Sequence, residues 1–351
     1  MIESRIVHVQ KHSPPHTRTT TEILPYMERW MEGKDKRFVR KMSKIVRGAG
    51  VDRRYGIMDI DEVFRPTSFE EKNVQYREAV LSMSRKALGD ALKEKNWTPE
   101  SLDMIITVSC TGFMIPSLDA YLINDFGLNP AIIRLPVTEM GCVAGISGLI
   151  YAYNYLKGNP GKRAVVIAVE CPTATFQHSD FSMANVVSAA LFGDGCACVL
   201  LSSREQDGGA QIKGAGMYHF PDSTGLMGFD LTNQGLRMVL DPEVPTQIQT
   251  HFEAIIFPFL QELGLGIEDI DRLVFHPGGR KIVEKTEELF GRYGKELKET
   301  RDTLKEFGNM SSATVLFVLE RVFGDFPKPG EKGLLLSFGP GFSAQRMVIE
   351  W

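Results

Sequence analysis

Cys142, His276 and Asn309 are of types that can run nucleophilic catalysis together. The thiolate attacks, an imidazole takes the proton, and an amide N–H steadies developing negative charge. Cys142 lies within Thr138-Glu139-Met140-Gly141-Cys142-Val143-Ala144-Gly145-Ile146-Ser147-Gly148-Leu149. The apolar run Ile132-Ile133-Arg134-Leu135-Pro136-Val137 precedes it, and a helix-compatible segment, 143–156, follows. The thiol is therefore expected where an extended segment turns into a helix. Gly141 lets the backbone turn sharply, and a helix N-terminus favours the thiolate. Ala144, Gly145, Ser147 and Gly148 predict a closely packed, buried helix, because an interior glycine otherwise costs about 0.5–1 kcal/mol against alanine. His276 ends an apolar strand before Pro277, and Asn309 stands just ahead of a helix at 310–323. Each has a plainer reading: an inert buried thiol, a hydrogen-bonded loop histidine, a helix N-cap. All three at strand-to-helix junctions are more informative than any one of them.

Several chemistries are excluded. The local cysteine signature of cysteine proteases is missing, as are a G-x-S-x-G elbow and a G-x-G-x-x-G fingerprint after a strand; Gly48-Ala49-Gly50 runs into Val51-Asp52-Arg53 instead. His8, His12 and His16 have helical spacing, but Pro14-Pro15 breaks that face, so no metal site is expected. A net charge of −4 argues against general nucleic-acid binding. No apolar run is long enough to span a membrane, and the N-terminus lacks a signal-peptide core. Five cysteines, an odd number with no CxxC pair, read as reduced cytoplasmic thiols.

The elements that must position these residues alternate. Strands are expected at 5–10, 102–108, 164–169, 196–201, 272–275, 334–337 and 345–350. Helices are expected at 19–33, 73–95, 118–126, 184–192, 246–263 and 283–293. Gly-rich turns end the strands, which indicates an α/β architecture with its chemistry at strand ends. The polar stretch 202–209 is the expected boundary between halves at 1–205 and 206–351. Between 34 and 54 the chain is basic, and Arg37, Arg40 and Lys44 share one helix face opposite Phe38, Met42 and Ile45. That face is either simply solvated or a site for a phosphate-bearing small ligand.

Five motifs, in order, give the chain a family resemblance: Gly141-Cys142-Val143-Ala144-Gly145, Ala190-Leu191-Phe192-Gly193-Asp194-Gly195, His276-Pro277-Gly278-Gly279, Gly308-Asn309-Met310-Ser311-Ser312-Ala313 and Phe338-Gly339-Pro340-Gly341. The sequence resembles type III polyketide synthases, the chalcone synthase-like enzymes, over essentially its full length. Ser109-Cys110-Thr111-Gly112-Phe113-Met114 is similar to the bacterial branch. The resemblance implies a thiolase-like αβαβα fold of two similar halves, a homodimer, and Cys142, His276, Asn309 and Phe192 as the catalytic set. It implies acyl-CoA and malonyl-CoA as substrates, and no metal, flavin or nicotinamide cofactor. Cys142 would carry the acyl chain as a thioester, with His276 as its imidazolium partner. His276 and Asn309 would hold the enolate left by malonyl decarboxylation, and Phe192 would give the carboxylate an apolar neighbour.

The resemblance also puts Arg37, Arg40 and Lys44 at the CoA phosphates, and Cys110, Thr111, Pro172, Thr175, Phe229, Met238 and Ser311 along the substrate cavity. Ile115 would reach the neighbouring subunit's cavity. An adaptable Met238 and apolar Pro172 suit an alkyl starter, so an alkylpyrone or alkylresorcinol is the expected product. A malonyl-primed tetrahydroxynaphthalene synthase is the alternative. Further rivals are a ketoacyl synthase of the fatty-acid type and a silent acyl-CoA-binding scaffold. The ending Ser337-Phe338-Gly339-Pro340-Gly341 and the intact Cys, His, Asn set argue against those two.

Overall fold

The computed structural model describes residues 3–351. Nine strands pair into one continuous sheet. Five belong to the N-terminal part, in the spatial order Ile133–Val137, Met104–Val108, Arg163–Glu170, Gly195–Ser202, Arg5–His12. Four belong to the C-terminal part, in the order Ala210–His219, Ser343–Glu350, Lys332–Gly339, Arg272–Phe275. The two parts meet along a short ladder, Arg5 opposite Gln211 and Ile6 opposite Ala210. Runs such as Ala164 to Glu170 and Gly195 to Ser202 are buried throughout, as expected of strands covered on both faces.

Helices Ala144–Gly158 and Thr314–Gly324 touch each other and strands of both parts. The long helix Phe69–Lys95 covers the outer face of the N-terminal strands. Helices Val244–Glu262 and Arg280–Gly291 cover the C-terminal strands. The layers thus run helix, sheet, helix, sheet, helix, as the resemblance implied. No helix among the described residues is long and apolar enough to cross a membrane.

The two central helices are buried nearly all round, and small residues are what let them approach. A Cβ on Gly145 would come 2.2 Å from the Ser312 carbonyl oxygen, and one on Gly148 would come 2.7 Å from Val166 Cγ1. This decides the sign of a substitution. Gly145→Ala gains up to about 1 kcal/mol of helix propensity, but its methyl meets backbone that has nowhere to move. Overpacking of this kind costs about 1–3 kcal/mol. Gly145→Ala is therefore expected to lower the urea midpoint. An unchanged or raised midpoint would mean that the Cys142 and Ser311 turns can separate freely.

Caps set several boundaries. Helix Phe69–Lys95 starts four residues before the expected 73, because Ser68 and Glu71 form a capping box. Helix Thr20–Trp30 starts at a Thr19/Glu22 box, and Asp35 caps Lys36–Arg47. The expected helices at 143–156 and 310–323 each begin with a 3₁₀ turn, Gly141–Val143 and Ser311–Ala313. His8 and His12 lie on the first strand and His16 on the next, so their helical spacing makes no common face. Unanticipated elements are the main-sheet strand Ala210–His219, the hairpin Met227–Thr232/Gly235–Leu240, the pair His16–Thr19/Arg53–Gly56 and the helices Ile60–Val63 and Lys298–Phe307.

Candidate active site

Cys142 sits in the Gly141–Val143 turn at the head of helix Ala144–Gly158. Gly141 has φ +56, and a Cβ there would lie 2.8 Å from the Pro340 ring. Only glycine meets both demands. Ser337 Oγ, on the strand Lys332–Gly339, donates to the Cys142 carbonyl at 2.8 Å and anchors the turn to the C-terminal strands.

His276 follows strand Arg272–Phe275 and continues its pairing through N–H to the Leu336 carbonyl, 2.9 Å. It is 2% exposed, and neither ring nitrogen has a protein partner among the described residues. Both are free to serve a ligand. Asn309 is held on three sides. Its N–H donates to the Leu191 carbonyl at 3.0 Å, and its carbonyl accepts from Gly193 N–H at 3.1 Å. Its Oδ1 accepts from Ser311 N–H at 2.8 Å, which leaves Nδ2 as the outward donor, 3.3 Å from the Gly278 carbonyl. The N-cap reading of Asn309 is thus partly right: the amide oxygen caps the Ser311 turn while the amide nitrogen stays available. The bridge between Phe192 and Asn309 brings the Phe192 ring to the same place.

These four residues line one cavity of about 760 Å³, open mouth included. Cys110, Thr111, Pro172, Phe229, Met238 and Ser311 line it as well. Phe229 and Met238 face each other across the unanticipated hairpin. Its one signal in the sequence was the turn Thr232-Asn233-Gln234-Gly235 between two short strands of mixed polarity, closed by Thr232 Oγ1 donating to the Gly235 carbonyl at 2.8 Å. One expected cavity residue is displaced. Thr175 lines a neighbouring chamber instead, its hydroxyl bonded to the Pro172 carbonyl at 2.8 Å. Ile115, expected to serve a neighbouring subunit, is 99% exposed and does not line this chain's own cavity. Arg37, Arg40 and Lys44 are exposed on helix Lys36–Arg47, which packs on Met183–Leu191, a helix whose Val187, Ser188 and Leu191 do line the cavity.

Two contributors escaped the sequence reading. Glu170, fully buried at a strand end, accepts from Thr111 Oγ1 at 2.8 Å, Cys110 N–H at 3.0 Å and Ser312 Oγ at 2.5 Å. A lone acid closing the apolar run Ala164-Val165-Val166-Ile167-Ala168-Val169 was its signal. Arg280, beside the cavity residue Gly278, reaches back to the basic helix: a Cβ on Gly48 would lie 3.5 Å from its Nη2.

Ser311 ties the two cavity thiols together. Its Oγ is 3.4 Å from Cys110 Sγ and 3.8 Å from Cys142 Sγ. It adopts φ +48, a left-handed conformation that costs a non-glycine residue about 1–3 kcal/mol. The electrostatics depart from the helix N-terminus expectation. Although Cys142 keeps some exposed area, protein surrounds its thiol, and burial pushes it up to about 12. Burial likewise pushes His276 down to about 3. Desolvation outweighs the helix end because it acts on the whole charge, whereas the helix end supplies a partial one. Burial thus favours the neutral thiol and the neutral imidazole, and ionising either one calls for a counter-charge inside the cavity.

Comparison with known proteins agrees with this geometry. Residues 8–205 match the family "Chalcone and stilbene synthases, N-terminal domain", and residues 211–350 match its C-terminal domain. The chain is 33% identical over 349 residues to 1,3,6,8-tetrahydroxynaphthalene synthase of Streptomyces peucetius subsp. caesius, covering 96% of this chain and 90% of that protein. It is 29% identical over 343 residues to phloroglucinol synthase of Pseudomonas fluorescens, covering 96% of each. Among solved structures, the tetrahydroxynaphthalene synthase of Streptomyces coelicolor A3(2) superposes with a TM-score of 0.92 at 28% identity, covering 99% of both chains. The chain belongs to the chalcone and stilbene synthase family and is a type III polyketide synthase, an acyltransferase.

Proposed function

We propose that Cys142, His276 and Asn309 perform iterative decarboxylative condensation of malonyl-CoA onto an acyl-CoA starter. The observation that carries this reading is their convergence on one cavity with Phe192. Cys142 gives its proton to His276 as it attacks the starter thioester, and CoA leaves. Malonyl-CoA then loses carbon dioxide beside Phe192, whose ring offers the carboxylate no compensation for lost water. The enolate oxygen accepts from His276 and from Asn309 Nδ2. Its carbon attacks the Cys142 thioester, and the lengthened chain returns to the thiol. Residues 1–205 supply the nucleophile in this scheme, and residues 206–351 supply both oxyanion donors.

The apolar lining, with Leu191, Leu240, Val244 and Ile282 joining Met238, supports a fatty acyl starter and an alkylpyrone or alkylresorcinol product. The names of the bacterial relatives favour a second reading, a polyhydroxyarene made from malonyl-CoA alone. Product mass spectrometry and kcat/KM for acyl-CoAs of increasing chain length separate the two. A buried methylene is worth about 0.8 kcal/mol, so each added carbon raises kcat/KM roughly fourfold until the cavity is full. A flat series with an aromatic product from malonyl-CoA alone gives the choice to the second reading.

Arg37, Arg40 and Lys44 form no ion pair among the described residues, and their helix lies one layer behind the cavity wall, with Arg280 near its C-terminal end at Gly48. This supports binding of the CoA phosphates. The Arg37→Ala, Arg40→Ala double variant is expected to raise the KM for malonyl-CoA roughly two- to tenfold, with kcat little changed and a smaller effect at high salt. An unchanged KM returns this face to plain solvation. The exposed Phe113 and Ile115 support a second copy of the chain as the partner of that loop. Sedimentation as a monomer at working concentration would remove that reading. CoA thioester substrates and five free cysteines fit the cytoplasm, which cell fractionation checks.

A further inference from the structure

Behind Phe192 lies a second chamber of about 490 Å³ that shares Pro172, Ser188 and Phe192 with the catalytic cavity. Ile60, Val63, Phe64 and Phe176 make much of its wall. Arg18 and Arg54, 8% and 2% exposed, line it as well. Arg54 Nη2 donates to Thr20 Oγ1 at 2.5 Å and weakly to the Val51 carbonyl at 3.4 Å. Its Nε and Nη1 are buried with no protein partner among the described residues. Burial, and after it the like charge of Arg18, pushes Arg54 down to about 9.

Nearby carboxylates leave this charge uncompensated. Asp194 acts on Arg18, but its two oxygens already accept Thr173 N–H and Ile57 N–H, each at 2.8 Å. Asp59 also acts on Arg18, yet it is exposed and caps a short helix through Glu62 N–H. Neither arginine forms an ion pair among the described residues. Two buried cations against one buried carboxylate leave the chamber one negative charge short, with unused donors and apolar walls. An unpaired buried charge costs far more than an exposed one, so the arrangement selects for a monoanion.

We propose that this chamber binds the carboxylate end of a small organic monoanion, held by Arg18 and Arg54 with its apolar body along Val63, Phe64 and Phe176. Two sources present that chemistry: a free monocarboxylate, or the distal carboxylate of an acyl chain carried on Cys142 past Phe192. The first is independent of the catalytic reading above, and the second rests on it.

Calorimetric titration of the intact protein with hexanoate and with hexan-1-ol tests the first source. Hexanoate is expected to bind roughly tenfold tighter or more, the scale of charged hydrogen bonds. Arg18→Gln is expected to erase the preference, and Arg54→Lys, which keeps the charge but loses the fork, to reduce it. Arg18 donates no side-chain hydrogen bond among the described residues, so its variant stays readable even if the Arg54 variant melts early. Acyl-enzyme formation from octanedioyl-CoA against octanoyl-CoA tests the second source, with a similar advantage for the diacid that Arg18→Gln removes. Acylation by neither thioester would count against the catalytic reading and leave the hexanoate result standing. Equal binding of hexanoate and hexan-1-ol, with no advantage for octanedioyl-CoA, overturns the proposal. So does a carboxylate preference in either arm that survives Arg18→Gln unchanged.

Discussion

Cys142→Ala is expected to abolish acyl-enzyme formation and polyketide product while malonyl-CoA decarboxylation continues. The separation follows from where the groups sit. The thiol is the only part of this residue that reacts, and its backbone is held independently by Ser337 Oγ on the Cys142 carbonyl. Alanine therefore keeps the turn, and His276 and Asn309 keep their places on other elements. Product should fall by several orders of magnitude, as in other enzymes that lose a nucleophile acting with its base. Intact-protein mass spectrometry reads the missing acyl adduct, and carbon dioxide release from malonyl-CoA reads the surviving half-reaction. Full-length product from this variant would show that another residue, Cys110 in the same cavity being the nearest thiol, carries the chain.

Asn309→Ala is expected to do the reverse. Acyl loading persists, because thiol and imidazole remain, and decarboxylation falls. Loss of one preorganised oxyanion donor costs about 10²–10³ in rate, or roughly 3–4 kcal/mol. One confounding effect is visible in the structure. Asn309 Oδ1 accepts from Ser311 N–H at 2.8 Å, and Ser311 stands against both cavity thiols. Asn309→Asp separates the two roles, since it keeps the acceptor and removes the donor. Both variants should lose decarboxylation, and only the alanine variant should also free the Ser311 N–H; the melting temperature should fall in both, through the lost acceptor in one and through a buried carboxylate facing the Gly278 carbonyl in the other. Decarboxylation within a fewfold of the native rate in both would take Asn309 out of the oxyanion site.

What was legible in the sequence was local. Apolar runs of strand length, helical periodicity and capping residues act within a few positions, and they placed most main-sheet strands and most helices to within a few residues. Ser68 with Glu71 shows the limit of that reading, since a capping box overruled the first strongly periodic residue as the start of its helix. The two hairpin-like pairs went unread because short strands of mixed polarity differ little from loops until they pair.

Cys142, His276 and Asn309 were identifiable by type and by their place at strand-to-helix junctions, and the motifs around them carried the family resemblance. Their assembly was a matter for tertiary structure. The Phe192–Asn309 bridge and the Ser337 bond to Cys142 join residues far apart in the chain, and no local pattern encodes such a contact. The same holds for what stands behind the cavity. Arg18 and Arg54 belong to ordinary-looking polar stretches, and only the packing around them removes their water and leaves donors unpaired. The protonation preference of the Cys142 thiol and the His276 ring is set in that way too. The sequence determined a thiol at a helix N-terminus, which by itself favours the anion. Burial, a property of the whole fold, reverses that preference because a missing hydration shell outweighs a helix end's partial charge.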